Sequence, residues 1–377
     1  MRLNISERSE AMKQTKKQIN LWIIALVLVM GIGLTIFMRH NAFLYKYTVA
    51  QVTATQTLSK HKNEDTHQNV DYSTTQNITL KILNGQHKNK KFNLHNTYTY
   101  SQALDQKYHP GQQVLVTLNA KSPSRSVIIG QKRDTLIVTL IWLTILLILV
   151  IVRKKGALSI LSLLVNVLLF ILAIQLELRH NGKHLLPIFA VLVVLFTLFT
   201  IGLIFGLNAE MFVSSVATIT ATSVSFLLFL LVLKLTHEQG IHYEAVSYAV
   251  QQPKTIFLAQ VMIGVLGAIM DESTDITSAM HQLKYENPGL PFHKVFRSGL
   301  NMGKQIIGPL ISILFLIFMA DTIPMAILYL RNGNSIVETF NWTMYLGLVQ
   351  SLVSAIGIVL TVPLTSALAG RFIGGKR

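Results

Sequence analysis

Three carboxylates stand together at the end of one apolar segment, and their spacing suits them to attracting or binding a cation. Asp271, Glu272 and Asp275 directly follow this segment. If the segment continues as a helix, Asp271 and Asp275 lie on one face at i and i+4, where like charges repel. Such a pair is stable when it is solvated, paired with cations or holding an ion. The plainer interpretation is a solvated cap, in which Asp271 or Ser273 starts a short amphipathic helix that ends at 287–289.

The next apolar segment begins with amides and a lysine. Asn301 lies three positions before Lys304 and four before Gln305, so the three side chains share one helical face. Lys304 could pair with a carboxylate of the preceding segment, or it could extend to the lipid headgroups. We predict a polar path, or an ion or solute site, formed by Asp271, Asp275, Ser298, Asn301, Lys304 and Gln305.

Small residues in the same segment predict close helix packing. Gly299 and Gly303 form a GxxxG pattern, and Gly308 follows them. Pro309 removes one backbone hydrogen bond near the polar side chains. This combination is typical of the interrupted helices that line the cavities of transporters.

Composition places these segments in a membrane. The 377 residues are 51% hydrophobic and only 13% charged, and a soluble core cannot absorb so much apolar surface. The absence of cysteine excludes disulfides, a thiol nucleophile and a Cys-type zinc site. No HExxH or GxSxG pattern is present. We therefore expect a protein that is not an enzyme, with no catalytic residue, no metal and no cofactor.

The order of apolar and polar stretches predicts the fold class. We expect an all-α polytopic membrane protein with about eight transmembrane helices and a small extracytoplasmic β domain after the first helix. The predicted parts are a basic cytoplasmic N-terminus at 1–20, a transmembrane anchor at 21–38, a β-rich domain at 39–134, a seven-helix membrane domain at 135–370 and a basic cytoplasmic tail at 371–377.

The β domain is predicted from short alternating runs bounded by turn signals. Asn84-Gly85 and Pro110-Gly111 separate these runs, and the polar stretch 64–76 is expected to be a loop. The domain holds 13 Lys and Arg against 5 Asp and Glu. This excess either attracts anionic cell-surface polymers or lipid headgroups, or simply keeps the surface soluble.

The distribution of basic residues predicts the orientation. With both termini assigned to the cytoplasm, the inner segments hold 15 Lys and Arg and the short outer loops hold 5. This excess accounts for the basic balance without nucleic acid, which we do not expect as a partner. In the fifth apolar segment, Ser214, Thr218, Thr222 and Ser225 share one face, which either packs against neighbouring helices or lines a polar path.

Three runs carry a resemblance to a known family. GAIMDESTDITSAM at 267–280, NPGLPFHKVFRSGLNMGKQIIGPLISILFL at 287–316 and IGIVLTVPLTSALAG at 356–370 resemble the YibE/F family of bacterial membrane proteins, and the anchor with its β domain resembles the longer, YibE-like members. The resemblance implies a bacterial plasma membrane, a permease-like helical core and, as a partner besides the lipid bilayer, a YibF-like membrane protein or a second copy of the chain. It implies no particular activity.

Two functions are compatible with these observations. The first is a transporter or permease-like protein for a small polar solute or ion. The alternative is a membrane scaffold or envelope-sensing protein that acts with a partner membrane protein through its outer domain. A hydrolase within the membrane is the weakest interpretation, because the chain lacks the motifs that such an enzyme needs.

Overall fold

The computed structural model describes residues 25–102, 105–118, 126–179, 184–245 and 251–373. The predicted N-terminal segment 1–20 and residues 374–377 of the predicted tail lie outside this part of the chain. Contacts divide the molecule into two compact units, Met1–Gly156 and Ala157–Arg377. The second predicted transmembrane helix belongs to the same unit as the β domain.

Eight helices in the described ranges are long and apolar enough to cross a membrane. They are α1 (Ala25–Leu44), α2 (Asp134–Val152), α3 (Lys154–Arg179), α4 (Leu185–Phe205), α5 (Ala209–Leu235), α6 (Pro253–Glu286), α7 (Phe292–Arg331) and α8 (Ile336–Phe372). A π-helical turn at Phe340–Met344 lies within α8. The predicted fold of about eight membrane helices is confirmed.

A five-stranded antiparallel sheet follows α1, as predicted. Its strands are β1 (Thr48–Glu64), β2 (Val70–Ile82), β3 (Lys91–Thr99), β4 (Gln113–Thr117) and β5 (Val127–Gln131), in the spatial order β3-β2-β1-β4-β5. The long β1 pairs with both β2 and β4, and its pairing with β2 has two register shifts of the kind that bend a strand. The sheet forms a half-barrel. Val52, Ile78, Leu80 and Val114 on its concave face are fully buried and form the core with their neighbours.

The predicted turn residues lie between strands and take the backbone conformations that the turns require. Gly85 and Gly111 have φ values of +74° and +91°, which glycine adopts without steric cost. The Asn84 side chain accepts a hydrogen bond from the Val49 amide at 2.7 Å and donates to the carbonyl oxygen of Ala42 at 2.8 Å. It therefore joins the β2–β3 turn to the start of β1.

The expectation of a loop at 64–76 is wrong. β1 extends to Glu64 and β2 begins at Val70, so only a tight turn separates them. The Asp65 carboxylate holds this turn by accepting hydrogen bonds from the amides of His67 and Asn69. A hairpin needs paired backbone groups rather than apolar side chains, and the threonines of this stretch favour strands. Polar composition alone therefore concealed the hairpin.

A polar cluster at the base of the half-barrel links it to the ends of α1 and α2. The Asp134 carboxylate accepts hydrogen bonds from Asn41 at 2.9 Å and Tyr45 at 2.8 Å, and it pairs with Lys132 at 2.8 Å. Burial, together with the hydrogen bond to Asp134, raises the pKa of Tyr45 to about 12. The phenol therefore remains a neutral donor to the carboxylate at physiological pH.

In the second unit, α6 and α7 are each continuous where the sequence suggested breaks. α6 runs without interruption to Glu286, so the interpretation of Asp271 or Ser273 as the cap of a separate short helix is wrong. α7 begins at Phe292 and remains helical through Pro309 and Pro324. At 1.5 Å per residue, both helices exceed the roughly 30 Å of a bilayer core.

Candidate functional site

A line of small hydroxyl side chains joins α5 to α6 in the interior of the second unit. The Ser214 and Ser273 hydroxyls lie 2.6 Å apart, and Thr218 donates to the Ser273 oxygen at 2.9 Å. Ser273 in turn donates to the Ser214 carbonyl at 3.0 Å. All three residues are fully buried. The predicted polar face of α5 therefore packs against α6 at this level.

Glu272 is the unusual residue of this region. It is 0% exposed, and neither of its carboxylate oxygens has a hydrogen-bond partner among the described residues. It lies on the same face of α6 as Ile269 and Ile276, which are three positions before it and four after it. An ionised carboxylate in this position would lack both water and protein donors.

The flanking residues show where Glu272 points. Ile269 reaches Gly357 of α8, where an added Cβ would lie 2.6 Å from its Cδ1 atom and 3.1 Å from the Ser225 hydroxyl of α5. Ile276 belongs to a buried cluster with Val213 of α5 and with residues of α8. Glu272, between them, therefore faces the place where α5, α6 and α8 meet, which we call the three-helix interface.

Further buried hydroxyl groups on these three helices lack hydrogen-bond partners within the described part of the chain. They belong to Ser215, Thr222, Thr277, Thr365 and Ser366, and to Thr339 near the start of α8. Thr361 of α8 is also fully buried and donates to its own helix at the Gly357 carbonyl, 2.7 Å away. Hydroxyl oxygens without partners can accept a hydrogen bond or coordinate a cation, so the same three helices carry several such groups in addition to the buried carboxyl group of Glu272.

The predicted site carboxylates lie on a neighbouring, exposed face of α6. Asp271 and Asp275 are exposed, one position before and three positions after Glu272. They share a face, as their spacing predicted. In the described ranges, no ion pair joins either of them to Lys304.

The predicted polar residues of α7 are not brought to these carboxylates by any hydrogen bond in the described ranges. Asn301, Lys304 and Gln305 are exposed, and Ser298 is half-buried. The face of α7 that packs is instead the one carrying the first two glycines. A Cβ added at Gly299 would lie 2.3 Å from the Ser366 hydroxyl oxygen.

The glycines of α7 differ in their surroundings. A Cβ at Gly303 would lie 2.3 Å from a methyl carbon of Val362, so α7 and α8 are in close contact there. Gly308 has no neighbouring atom within 4 Å of the corresponding position. Two of the three predicted packing glycines are therefore at a helix contact, and the third borders open space.

Sequence reasoning did not single out Glu272 among the three carboxylates, nor the hydroxyls of α8. One signal was available, because Glu272 follows the apolar residues Val265 and Ile269 at helical spacing, whereas Asp271 and Asp275 do not. Within the described ranges, no group of three or more His, Cys, Asp or Glu side chains could hold a metal ion.

Two models of one protein family match the chain. The family described as YibE/F-like protein matches residues 140–375, and the YibE/F family N-terminal domain matches residues 43–131. No curated protein and no solved structure matches the chain. Since the first match alone spans more than half of the sequence, and the second covers the half-barrel, the chain belongs to the YibE/F family.

Proposed function

We propose that this protein is a transporter or permease-like protein for a small polar solute or ion, with the three-helix interface as part of the path. The observation that carries the proposal is Glu272, a carboxyl group that is 0% exposed and has both oxygens unpartnered in the described structure. Ionisable side chains of this kind within membrane helices mark the paths of ions, protons and substrates.

Burial of Glu272 is costly when its carboxylate is charged. An isolated ionised carboxylate in a low-dielectric interior loses its hydration, at a cost of several kcal/mol even after relaxation. Glu272 therefore holds either a proton or a cation when it is enclosed. Exchange of that proton or cation with solvent requires a change in the packing of α5, α6 and α8, and such a change could couple ion binding to transport.

Asp271 and Asp275 have a supporting role in this proposal. They are exposed next to Glu272 along α6, where two carboxylates attract cations and raise their local concentration. The buried hydroxyls of Ser214 and Thr218 of α5 and Ser273 of α6 form a polar contact between these two helices, one residue along the chain from Glu272.

The exposed polar face of α7 supports a second part of the proposal. Asn301, Lys304 and Gln305 are uncovered in this single chain. Amide and ammonium groups at membrane depth are more stable when another helix covers them. We assign this face to contact with a YibF-like membrane protein or a second copy of the chain.

The proposed setting is a bacterial plasma membrane with both termini in the cytoplasm and the half-barrel outside. Its support is the excess of Lys and Arg in the segments assigned inside, 15 against 5. Because the chain has no cysteine, single cysteines can be introduced without a background signal. Ser59→Cys should react with an impermeant maleimide in intact cells, whereas Arg153→Cys should react only after lysis.

The test of transport is ion flux through the purified full-length protein in liposomes. Gradients of H⁺, Na⁺, K⁺ and Mg²⁺ are applied in turn, and currents are recorded on a solid-supported membrane. We expect a current with at least one cation, reduced at least tenfold by Glu272→Gln, which keeps the side-chain shape but removes the charge.

Glu286→Gln is the matched control, because Glu286 is exposed near the end of the same helix. It should leave the current unchanged, and Asp271→Asn should reduce it by a smaller factor than Glu272→Gln. An unaltered current in a well-folded Glu272→Gln protein would contradict the assignment of Glu272. Absence of current in the unmodified protein with all four cations would contradict ion transport.

One observation favours the alternative of an envelope-sensing or scaffold protein. The half-barrel carries a polar groove on its concave face, lined by side chains that its own core does not use. If the half-barrel is essential, deletion of residues 45–130 should abolish the cellular function. A cell that retains the phenotype after this deletion would contradict a sensing role.

A further inference from the structure

The concave face of the half-barrel continues past its apolar core into an open groove of about 350 Å³. We call it the tyrosine groove, and it is defined by the side chains of Lys60, Tyr72, Thr74, Tyr98, Tyr100 and Lys107. All of them belong to β1, β2, β3 and the connection from β3 to β4. The groove is thus a feature of one compact unit.

The strand period explains why the groove exists. Alternate residues of β2 point to the concave face, and in the core these are Leu80 and Ile78. The next members of the same series are Gln76, Thr74 and Tyr72. The face therefore changes from aliphatic to amide and then to hydroxyl and phenol groups along a single strand.

Amide side chains fix the wall of the groove. Gln76 donates to the Tyr108 carbonyl at 3.1 Å and accepts from the Tyr108 amide at 3.3 Å. Asn96 of β3 donates to the Gln106 carbonyl at 2.8 Å. These bonds hold the chain next to Lys107 against the sheet, so the position of Lys107 is set by the fold.

Cross-strand register brings the lysines and the rings together. Lys60 pairs with Thr74, and Thr74 pairs with Tyr98, so the three side chains form one row on the concave face. The Lys60 ammonium lies 4.4 Å from the centre of the Tyr72 ring, and Lys107 lies 5.9 Å from the centre of the Tyr98 ring.

Neither ammonium group is neutralised by a carboxylate among the described residues. The nearby acidic side chains are used in hydrogen bonds at the rim. Asp71 accepts from the Ser101 hydroxyl at 2.6 Å and from the Tyr100 amide at 3.0 Å, and Asp105 accepts from Thr99. The two ammonium groups in the groove therefore have no carboxylate partner in the described part of the half-barrel, while Asp71 and Asp105 are held at its rim by neutral donors.

Two of the three tyrosines of the groove are exposed to a ligand, and Tyr98 is half-buried. Tyr72 is 40% exposed and Tyr100 is 80% exposed. The amides of Tyr100 and Ser101 are fixed by Asp71, so Tyr100 extends from a held turn rather than from a free loop. Planar phenol rings with accessible faces and hydroxyl tips suit flat, hydroxyl-rich ligands.

We propose that the tyrosine groove binds an anionic saccharide, with sugar rings stacked on the tyrosines and their acidic groups paired with Lys60 and Lys107. Three phenol rings supply apolar faces, while their hydroxyls and Thr74 supply hydrogen-bond partners for sugar hydroxyls. The two unneutralised ammonium groups select acidic over neutral sugars.

The composition of the groove argues against other anionic ligands. Single-stranded nucleic acid requires a longer basic track along its backbone, whereas two lysines line this groove. A lipid headgroup would require apolar surface for its acyl chains, but the groove is lined by hydroxyl, amide, phenol and ammonium groups.

Binding can be measured on the detergent-solubilised full-length chain at about 0.15 M salt, where weak surface attraction is screened. The probes are a hyaluronan hexasaccharide, which carries carboxylates, maltohexaose, which is neutral, and a short inorganic polyphosphate, which has charge but no sugar. We expect the hyaluronan fragment to bind at least tenfold more tightly than either of the others.

Two groove variants and one control decide whether binding occurs at the assigned place. Tyr98→Ala and the double variant Lys60→Ala/Lys107→Ala should each weaken hyaluronan binding at least fivefold, and Tyr98→Phe, which keeps the ring, should retain binding within twofold. The control Tyr47→Ala/Lys90→Ala removes an exposed ring and an exposed charge elsewhere in the half-barrel and should have no effect.

Three results would overturn the proposal. The first is that polyphosphate binds as tightly as the hyaluronan fragment, which would indicate charge attraction alone. The second is that both groove variants bind the hyaluronan fragment as tightly as the unmodified chain does. The third is that the unmodified chain does not bind the hyaluronan fragment. A folded Tyr98→Phe protein that loses binding as completely as Tyr98→Ala would remove the role of ring stacking.

Discussion

The contact between α7 and α8 at Gly303 allows a quantitative test of helix packing in the second unit. In Gly303→Ala, the new Cβ would lie 2.3 Å and 2.6 Å from the two methyl carbons of Val362 and 3.0 Å from its Cβ. Valine is stiff about χ1, so it cannot rotate away easily. Ordinary carbon contacts are about 3.5–4 Å, and α7 must therefore move away from α8 by roughly 1 Å.

The expected loss of stability in Gly303→Ala follows from comparison with the same substitution at Gly308. Both Gly303→Ala and Gly308→Ala replace a helical glycine in the same helix, and each gains about 1 kcal/mol of helix propensity at most. Gly308 has no atom within 4 Å of the added carbon, so its variant has no packing cost. The difference between the two variants is then the overpacking cost, about 1–3 kcal/mol.

The assay is equilibrium unfolding of the purified protein in mixed micelles, with increasing SDS and with helical content as the signal. Gly303→Ala should unfold at an SDS fraction close to or below that of the unmodified protein, and Gly308→Ala should unfold at an equal or higher fraction. If the two variants unfold together, the close contact between α7 and α8 at Val362 is refuted.

Three further predictions concern stability. Lys284→Met should destabilise the protein by about 1–3 kcal/mol, because the Lys284 ammonium donates hydrogen bonds to carbonyls at the end of α8, including one at 3.0 Å. The control is Lys294→Met in the same unfolding assay, which should cost much less because Lys294 is exposed. Asn84→Ala should cost a similar amount in the half-barrel by removing the link between the β2–β3 turn and β1, whereas the exposed Asn93→Ala should be nearly neutral in thermal unfolding. The hydrogen bond from Ser101 lowers the pKa of Asp71 below its ordinary 3.8, so the stability that the ionised Asp71 gives to the groove rim is complete above pH 3.8 and is lost as the pH falls through the lowered pKa. Amide exchange of the groove rim, corrected for intrinsic rates, should therefore rise in this pH range. An unchanged exchange rate would contradict the role of Asp71.

The sequence by itself determined the membrane helices and the presence of the half-barrel. Long apolar runs have few alternatives to spanning a bilayer, because every backbone polar group in the hydrocarbon must be satisfied within a helix. Turn signals such as Asn84-Gly85 act locally, and the structure has turns at both predicted places. The hairpin around Asp65 was missed because its strands are held by backbone pairing, which side-chain polarity does not reveal.

Only the tertiary structure decided which polar groups are enclosed. Asp271, Glu272 and Asp275 are neighbours of the same chemical type, yet Glu272 alone of the three is buried. Its burial depends on how α6 is rotated against α5 and α8, and that rotation is set by the summed packing of many apolar side chains rather than by any local pattern. The groove lined by Tyr72 and Tyr98 likewise required the register of three strands, because residues far apart in sequence become neighbours only through pairing.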